Sequence, residues 1–378
     1  MLGLMVCSAP RPFFCPNFSI PTFSTLRNIR RRQLPAEESL EREWNVKKSL
    51  SVLALFMFVL GAARAQKITG AGATFPYPIY SKWFSEYSSA HPGVEINYQS
   101  IGSGGGIQQV TNGIVDFGAS DMPMTDQALG AAKIKVEHIP TVLGAIVPAF
   151  NVPGVTNLRL SPDVLADIYL GKISNWSDPR LAKDNPGVSM PNLKITVVHR
   201  SDGSGTTFIF TSYLSKVSSE WKGGPGAGSA INWPTGVGGK GNENVTSLVR
   251  QLSGSIGYVE LFYALQNNVQ FASLKNASGN WVKASLEGVT AAGASVKNMP
   301  ADYRVDITNA PGADTYPISS FTYLLIPTSP TDAAKEHVIK DMLSWILNSG
   351  ESQASALSYA PLPKALADKV LQTVYKLP

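Results

Sequence analysis

Arg200-Ser201-Asp202-Gly203-Ser204-Gly205-Thr206 gathers, within seven residues, groups that suit an anion. It offers a guanidinium at Arg200, hydroxyls at Ser204 and Thr206, and glycines that let a ligand approach the backbone. Charge-assisted hydrogen bonds to an anion are the chemistry these groups do best. The β-rich run Ile195–His199 precedes the heptad, and an apolar-periodic stretch (Phe208, Phe210, Tyr213, Leu214) follows it. Strand, tight turn and helix start leave several backbone N–H groups converging beside the positive end of the helix dipole. A capped strand–helix turn with a surface arginine would look the same. Two further turns of this kind upstream favour the ligand reading.

The first is Gly70-Ala71-Gly72-Ala73-Thr74-Phe75-Pro76, after the short strand Lys67–Thr69 and before a helix pattern of Ile79, Trp83, Phe84 and Tyr87. Thr74 offers N–H and hydroxyl together, and Pro76 and Pro78 suit a first helical turn, where a missing N–H costs nothing. The second is Gly102-Ser103-Gly104-Gly105-Gly106, entered from an alternating strand over Val94–Gln99. Four glycines around one serine exceed what a plain turn requires, because glycine at an element start costs order. A third strand end, Val115-Asp116-Phe117-Gly118-Ala119-Ser120-Asp121, places a carboxylate at a carboxyl terminus, where ligands of open α/β sheets bind. Asp116 and Asp121 fall on opposite faces of a strand and are by default solvated acids.

The elements that must position these turns alternate between strand and helix, which argues an α/β protein with largely parallel sheets. A long apolar strand over 139–152 and a second over 316–326 are candidate crossings between two lobes. Placed near 145 and 317, they give lobe I as 66–144 plus 317–378 and lobe II as 145–316. Ser161-Pro162-Asp163 reads as a helix start, and amphipathic helices are expected over Ala333–Leu347 and Pro363–Tyr375.

The 378 residues carry a net charge of +5, which misleads. Of 32 Lys/Arg and 27 Asp/Glu, nine and four fall within residues 1–65, leaving 23 of each in a neutral body. A neutral body gives no support to nucleic-acid binding. Both cysteines, Cys7 and Cys15, also lie in the leader, so the body has no disulfide, thiolate metal site or cysteine nucleophile. Its histidines (His91, His138, His199, His337) lack zinc-site spacing, and neither a metal nor a cofactor is expected. Lys47-Lys48, the apolar Leu50–Leu60 and Ala63-Arg64-Ala65 form a secretory signal peptide over 46–65, cleaved near Ala65. Signal peptides begin within a few residues of their lysines. Residues 1–45 are therefore expected to be an upstream extension, with Val46 marking the true start.

Two motif matches fail on context. Gly236-Val237-Gly238-Gly239-Lys240-Gly241 matches GxGxxG but follows no convincing strand, and reads as a loop. Gly203-Ser204-Gly205 hints at a nucleophilic serine, and a secreted phosphatase using Ser204 with a distant histidine is the enzyme alternative. Asp202 stands where the nucleophile elbow needs glycine, so an enzyme is not expected.

Taken together, 68–76, 102–105, 115–121, 200–206 and 238–242 resemble, in content, order and spacing, the phosphate-binding proteins of the high-affinity bacterial phosphate ABC transporter. The resemblance covers essentially all of 66–378. It implies a periplasmic binding protein type II fold: two α/β lobes joined by two crossing strands, with the ligand cleft between them. It implies capture of inorganic phosphate in the periplasm and delivery to membrane permease subunits, by a monomer. The residues carried over as phosphate ligands are Thr74, Phe75, Ser103, Asp121, Arg200, Ser204, Gly205 and Thr206, with Asp202 orienting Arg200. His199 is expected outside the contact set. Gly104 departs from the family, which often has serine there; a glycine keeps the N–H, and little loss is expected. Another oxyanion on the same fold is the remaining alternative. The resemblance also explains Asp121: phosphate keeps at least one proton at neutral pH, which a carboxylate can accept, whereas sulfate would meet an unpaired like charge.

Overall fold

The computed structural model describes residues 66–377. The extension 1–45, the signal peptide 46–65 and both cysteines lie outside the described residues. Eight strands form one continuous path: β1 (Gln66–Gly72), β2 (Val94–Ser100), β3 (Phe117–Ser120), β4 (Val136–Asn151), β5 (Thr196–Arg200), β6 (Val237–Gly239), β7 (Ser255–Glu260) and β8 (Ser319–Pro327). Their spatial order is β2-β1-β3-β8-β4-β7-β5-β6, and the short strands Gln270–Phe271 and Ala360–Pro361 also pair with β4.

β4 organises the sheet. All of it is buried except Glu137 and Asn151, which explains its near-continuous apolar run. Val136–Ala145 pairs antiparallel with β8, and Ile146–Asn151 pairs antiparallel with β7. The partner changes between Ala145 and Ile146, so this strand belongs to both halves of the sheet. The second expected crossing lies directly beside it: the Ile146 N–H donates to Ile318 O at 2.8 Å, and the Tyr316 hydroxyl donates to Ile146 O at 3.1 Å. The parallel expectation holds at the flanks, where β1 pairs with β2 and β3, and β5 with β6 and β7. It fails in the middle because the crossing strands run against their neighbours. Register slips between Thr322 and Tyr323, leaving Thr141 unpaired on β4. Pro140 cannot donate to a ladder, and a bulge beside it relieves that conflict.

Each flanking strand delivers its carboxyl end to a turn and a helix. After β1 comes the helix Tyr77–Ala90, which has proline in its first turn and buries Ile79, Tyr80, Trp83, Phe84 and Tyr87. The Trp83 indole N–H donates to Gly350 O at 2.7 Å, tying the helix to the chain's last segment. Truncating such a side chain to alanine costs about 3–5 kcal/mol. The helices Ser103–Thr111 and Gly205–Val217 follow β2 and β5. Those expected near the carboxyl end run Ala333–Asn348 and Lys364–Tyr375.

One sequence reading is overturned. Residues 236–241 do not form a loop: Val237–Gly239 is a strand in parallel register with β5, and Gly241 opens the helix Gly241–Gln251. Three residues, two of them glycine, carry no strand propensity. Main-chain pairing along Val198–Arg200 imposes the extended form instead. Tight packing also asks for glycine, since a Cβ on Gly239 would lie 3.0 Å from the Val245 nitrogen. The chain therefore has a fourth strand–turn–helix unit.

Candidate anion-binding site

The turns after β1, β2, β3, β5 and β6 meet at one place. β1 ends at Gly72, with φ +149°, where a Cβ would lie 2.0 Å from Ala119 O. Only a bare backbone can pass β3 this closely. Thr74 follows, buried, with its carbonyl accepting from the Tyr263 hydroxyl at 2.6 Å. A planar trans peptide then directs the Phe75 N–H away from Tyr263. Tyr359 holds the next carbonyl, Phe75 O, at 2.7 Å.

Gly102 (φ +91°) opens the second turn against Asp202, whose Oδ2 would lie 2.4 Å from an added Cβ. Ser103 is fully buried. Its Oγ accepts the Asp121 N–H at 3.2 Å and donates to Asp121 Oδ2 at 3.4 Å. Gly104 donates its N–H to Gly203 O at 2.9 Å, across to the Arg200 turn. The N–H thus joins two turns, and an added Cβ would sit 3.2 Å from Gly203 Cα.

Arg200 is 3% exposed, and Asp202 grips its guanidinium in a fork: Nε donates to Oδ1 at 2.7 Å and Nη2 donates to Oδ2. Asp202 also accepts the Gly241 N–H at 3.1 Å. Burial alone would raise the Asp202 pKa, but the hydrogen bonds and charge of Arg200 outweigh it and hold the carboxyl below its usual range. The fork holds the guanidinium in one plane. Nη1 reaches Thr206 Oγ1 at 3.3 Å. Ser204 caps its helix, accepting the Thr207 N–H at 3.0 Å, while its own N–H goes to Ser229 O at 2.9 Å. Its hydroxyl proton is what it can offer a ligand. Gly205 presses against the opposite turn, since a Cβ would come within 2.4 Å of Ser103 Oγ and 2.7 Å of Asp121 Oδ2.

Asp121 is 1% exposed and has no ion-pair partner among the described residues. Thr322 donates its hydroxyl to Oδ1 at 2.7 Å. Burial pushes the Asp121 pKa up to about 7, against the pull of the Thr322 hydroxyl, the Arg200 charge and the Ser103 hydroxyl. In the turns gathered here, the N–H groups of Phe75, Ser103, Gly205 and Thr206 have no acceptor among the described residues. The result is one desolvated carboxyl set among unused donors and one guanidinium. That combination fits an oxyanion that still carries a proton.

A sequence profile for the PBP superfamily domain matches residues 60–348. The "Phosphate-binding protein PstS" of Xylella fastidiosa (strain Temecula1) is 47% identical over 310 residues, covering 81% of this chain and 84% of its own. The chain belongs to the PstS family. The PstS protein of Haemophilus influenzae is 46% identical over 320 residues, covering 84% and 94% of the two chains. Among solved structures, a putative phosphate ABC transporter substrate-binding protein with bound phosphate from Clostridium perfringens superposes with TM-score 0.59. It is 19% identical and covers 79% of this chain and all of that one. A high-affinity periplasmic phosphate-binding protein reaches TM-score 0.66 at 22% identity, covering 81% and 93%. The architecture shared with these structures is the periplasmic binding protein type II fold.

All eight residues expected from the sequence, with Asp202, converge on this place. His199 stands aside: it stacks on Trp233 at 4.9 Å, and its Nδ1 lies 3.1 Å from Arg200 O. The other histidines are partnered elsewhere, His91 with Tyr87, His138 with Met124 and His337 with Asp341. Ser204 therefore has no histidine base beside it. Two residues were missed, Thr322 on Asp121 and Asn242 between the threonines. Gly241-Asn242 was visible in the 238–242 motif, but the preceding strand was too short to read. Nothing local marks Thr322.

Proposed function

We propose that this chain is a periplasmic binding protein that captures inorganic phosphate and delivers it to the membrane permease subunits of an ABC importer. The observation that carries this reading is Asp121: a desolvated carboxyl without a cation, placed against donor-lined turns. An anion with no proton meets like charge there unless Asp121 is first protonated, and that protonation costs more the further the pH lies above about 7. An anion with a proton gives Asp121 a hydrogen bond and takes the surrounding donors for its other oxygens. Thr74, Phe75, Ser103, Asp121, Arg200, Ser204, Gly205 and Thr206 are the proposed ligands.

The proposed lobes are 66–144 plus 317–378 and 145–316, hinged where β4 changes partners. Rotation there would open the turns carrying Thr74, Ser103 and Asp121 from those carrying Arg200 and Ser204. We further propose export through a signal peptide ending near Ala65 and action as a monomer. Among the described residues no helix is long and apolar enough to cross a membrane. The phosphatase reading has no support in the geometry, because Ser204 Oγ caps a helix and lacks a base. Titration calorimetry with phosphate and sulfate tests the proposal. Saturable phosphate binding is expected, with sulfate about 100-fold weaker at pH 9, two units above the Asp121 pKa of about 7, where the carboxyl must take up a proton before sulfate enters. Equal affinity for the two would overturn it.

A further inference from the structure

Asn242 lies at the start of the helix Gly241–Gln251 and is fully buried between two of the proposed ligand turns. Its side-chain amide donates to Thr74 Oγ1 at 2.7 Å and to Thr206 Oγ1 at 3.2 Å. Its backbone N–H also donates to Thr74 Oγ1, at 3.3 Å. The amide cannot be turned over without conflict, because Oδ1 accepts the Glu260 N–H at 3.0 Å. A flipped NH₂ would face that N–H donor to donor.

A threonine hydroxyl has one proton to give and two lone pairs with which to accept. Thr74 Oγ1 receives two donors from Asn242. Thr206 Oγ1 receives one from Asn242 and one from Arg200 Nη1 at 3.3 Å. With both lone pairs of each oxygen occupied, each O–H must be donated elsewhere, and the cleft is the direction left. We propose that Asn242 is a positioning residue that fixes the Thr74 and Thr206 hydroxyls as donors toward the bound oxyanion. The inference rests on the phosphate reading of this same site. It adds a consequence for selectivity: hydroxyls locked as donors cannot accept the ligand's proton, which leaves Asp121 to take it. Asn242 acts through the hydroxyls and touches no ligand itself.

The test is a double-mutant cycle read by calorimetric phosphate titration. The parent protein is titrated first, and failure to bind phosphate there overturns the functional reading itself. Given a binding parent, Asn242→Ala is expected to weaken phosphate about tenfold or more, the scale of a hydrogen bond to a charged group. In a Thr74→Val/Thr206→Val background the same substitution is expected to cost less than about threefold, because the groups it acts through are gone. A loss of equal size in both backgrounds would mean a purely structural role and overturn the inference, as would no loss in either. Folding of each variant is checked by circular dichroism and its thermal transition. If Asn242→Ala does not fold, Asn242→Ser enters the same cycle, with the same two outcomes deciding.

Discussion

The two ends of β3 carry an aspartate each, five residues apart, and the molecule treats them oppositely. Asp116, at the amino end, accepts the Thr69 N–H and hydroxyl at 2.8 Å each and the Lys335 ammonium at 2.9 and 3.1 Å. Asp121, at the carboxyl end, is buried deeper and receives only neutral donors: Thr322, Ser103 and its own backbone. One acid is neutralised by a cation from the helix Ala333–Asn348 and fastens that helix to the sheet. The other keeps an unmet electrostatic demand, which a proton or a proton-bearing ligand can satisfy. A carboxylate's role here is set by which partners the fold brings to it, and its strand of origin does not decide it.

The contrast can be broken at several points. Arg200→Ala should have the largest effect, weakening phosphate and sulfate alike by about 1000-fold or more. It removes the one guanidinium of the site and leaves Asp202 buried without its partner; a titration in which either anion survives would break the assignment of charge. Gly205→Ala should come next, about 100-fold weaker for phosphate. Its methyl would enter Ser103 Oγ and Asp121, a clash that typically costs about 1–3 kcal/mol, so an unaffected Kd would show that the turns do not close as described.

Asp121→Asn should sharpen the contrast further, costing phosphate about tenfold or less while improving sulfate, so that discrimination at pH 9 falls by about 100-fold. Asp116→Asn should leave both affinities unchanged and lower unfolding stability by about 1 kcal/mol, because Lys335 is partly solvent-exposed. A phosphate Kd shifted by Asp116→Asn would erase the distinction between the two ends.

The Asp121 end also carries a pH dependence. The Asp121 pKa rises from 3.8 to about 7 in the ligand-free fold. Its contribution to stability is therefore complete below pH 4 and lost as pH rises through 7. The difference in unfolding free energy between parent and Asp121→Asn should slope across that window, by up to roughly 4 kcal/mol. By the same linkage, sulfate needs Asp121 protonated, so its affinity should fall about tenfold per pH unit above 7. Phosphate, which carries its own proton, should fall less steeply.

Much of this was legible in the chain. The strand–turn–helix units at 70–76, 102–106 and 200–206 announce themselves through glycines, hydroxyls and apolar periodicity, all local properties. The crossing strands could be read from length and hydrophobicity, since a strand buried on both faces admits few polar residues. The Arg200–Asp202 fork follows from two side chains that leave a turn two residues apart. The fourth turn, at 237–242, was misread, because three residues with two glycines have no preference until β5 supplies a ladder.

The sequence alone therefore determined which segments could hold an anion and which residue types stood ready there. It did not decide whether Asp116 or Asp121 would remain without a cation. That depended on Lys335 and Thr322, each about 200 residues away along the chain. Nor did it decide which way the threonine protons point, which is set by Asn242 and, behind it, the Glu260 N–H. Local spacing encodes geometry within a turn; electrostatic balance and hydrogen-bond direction depend on every group within a few ångströms, and only the folded chain brings those groups together.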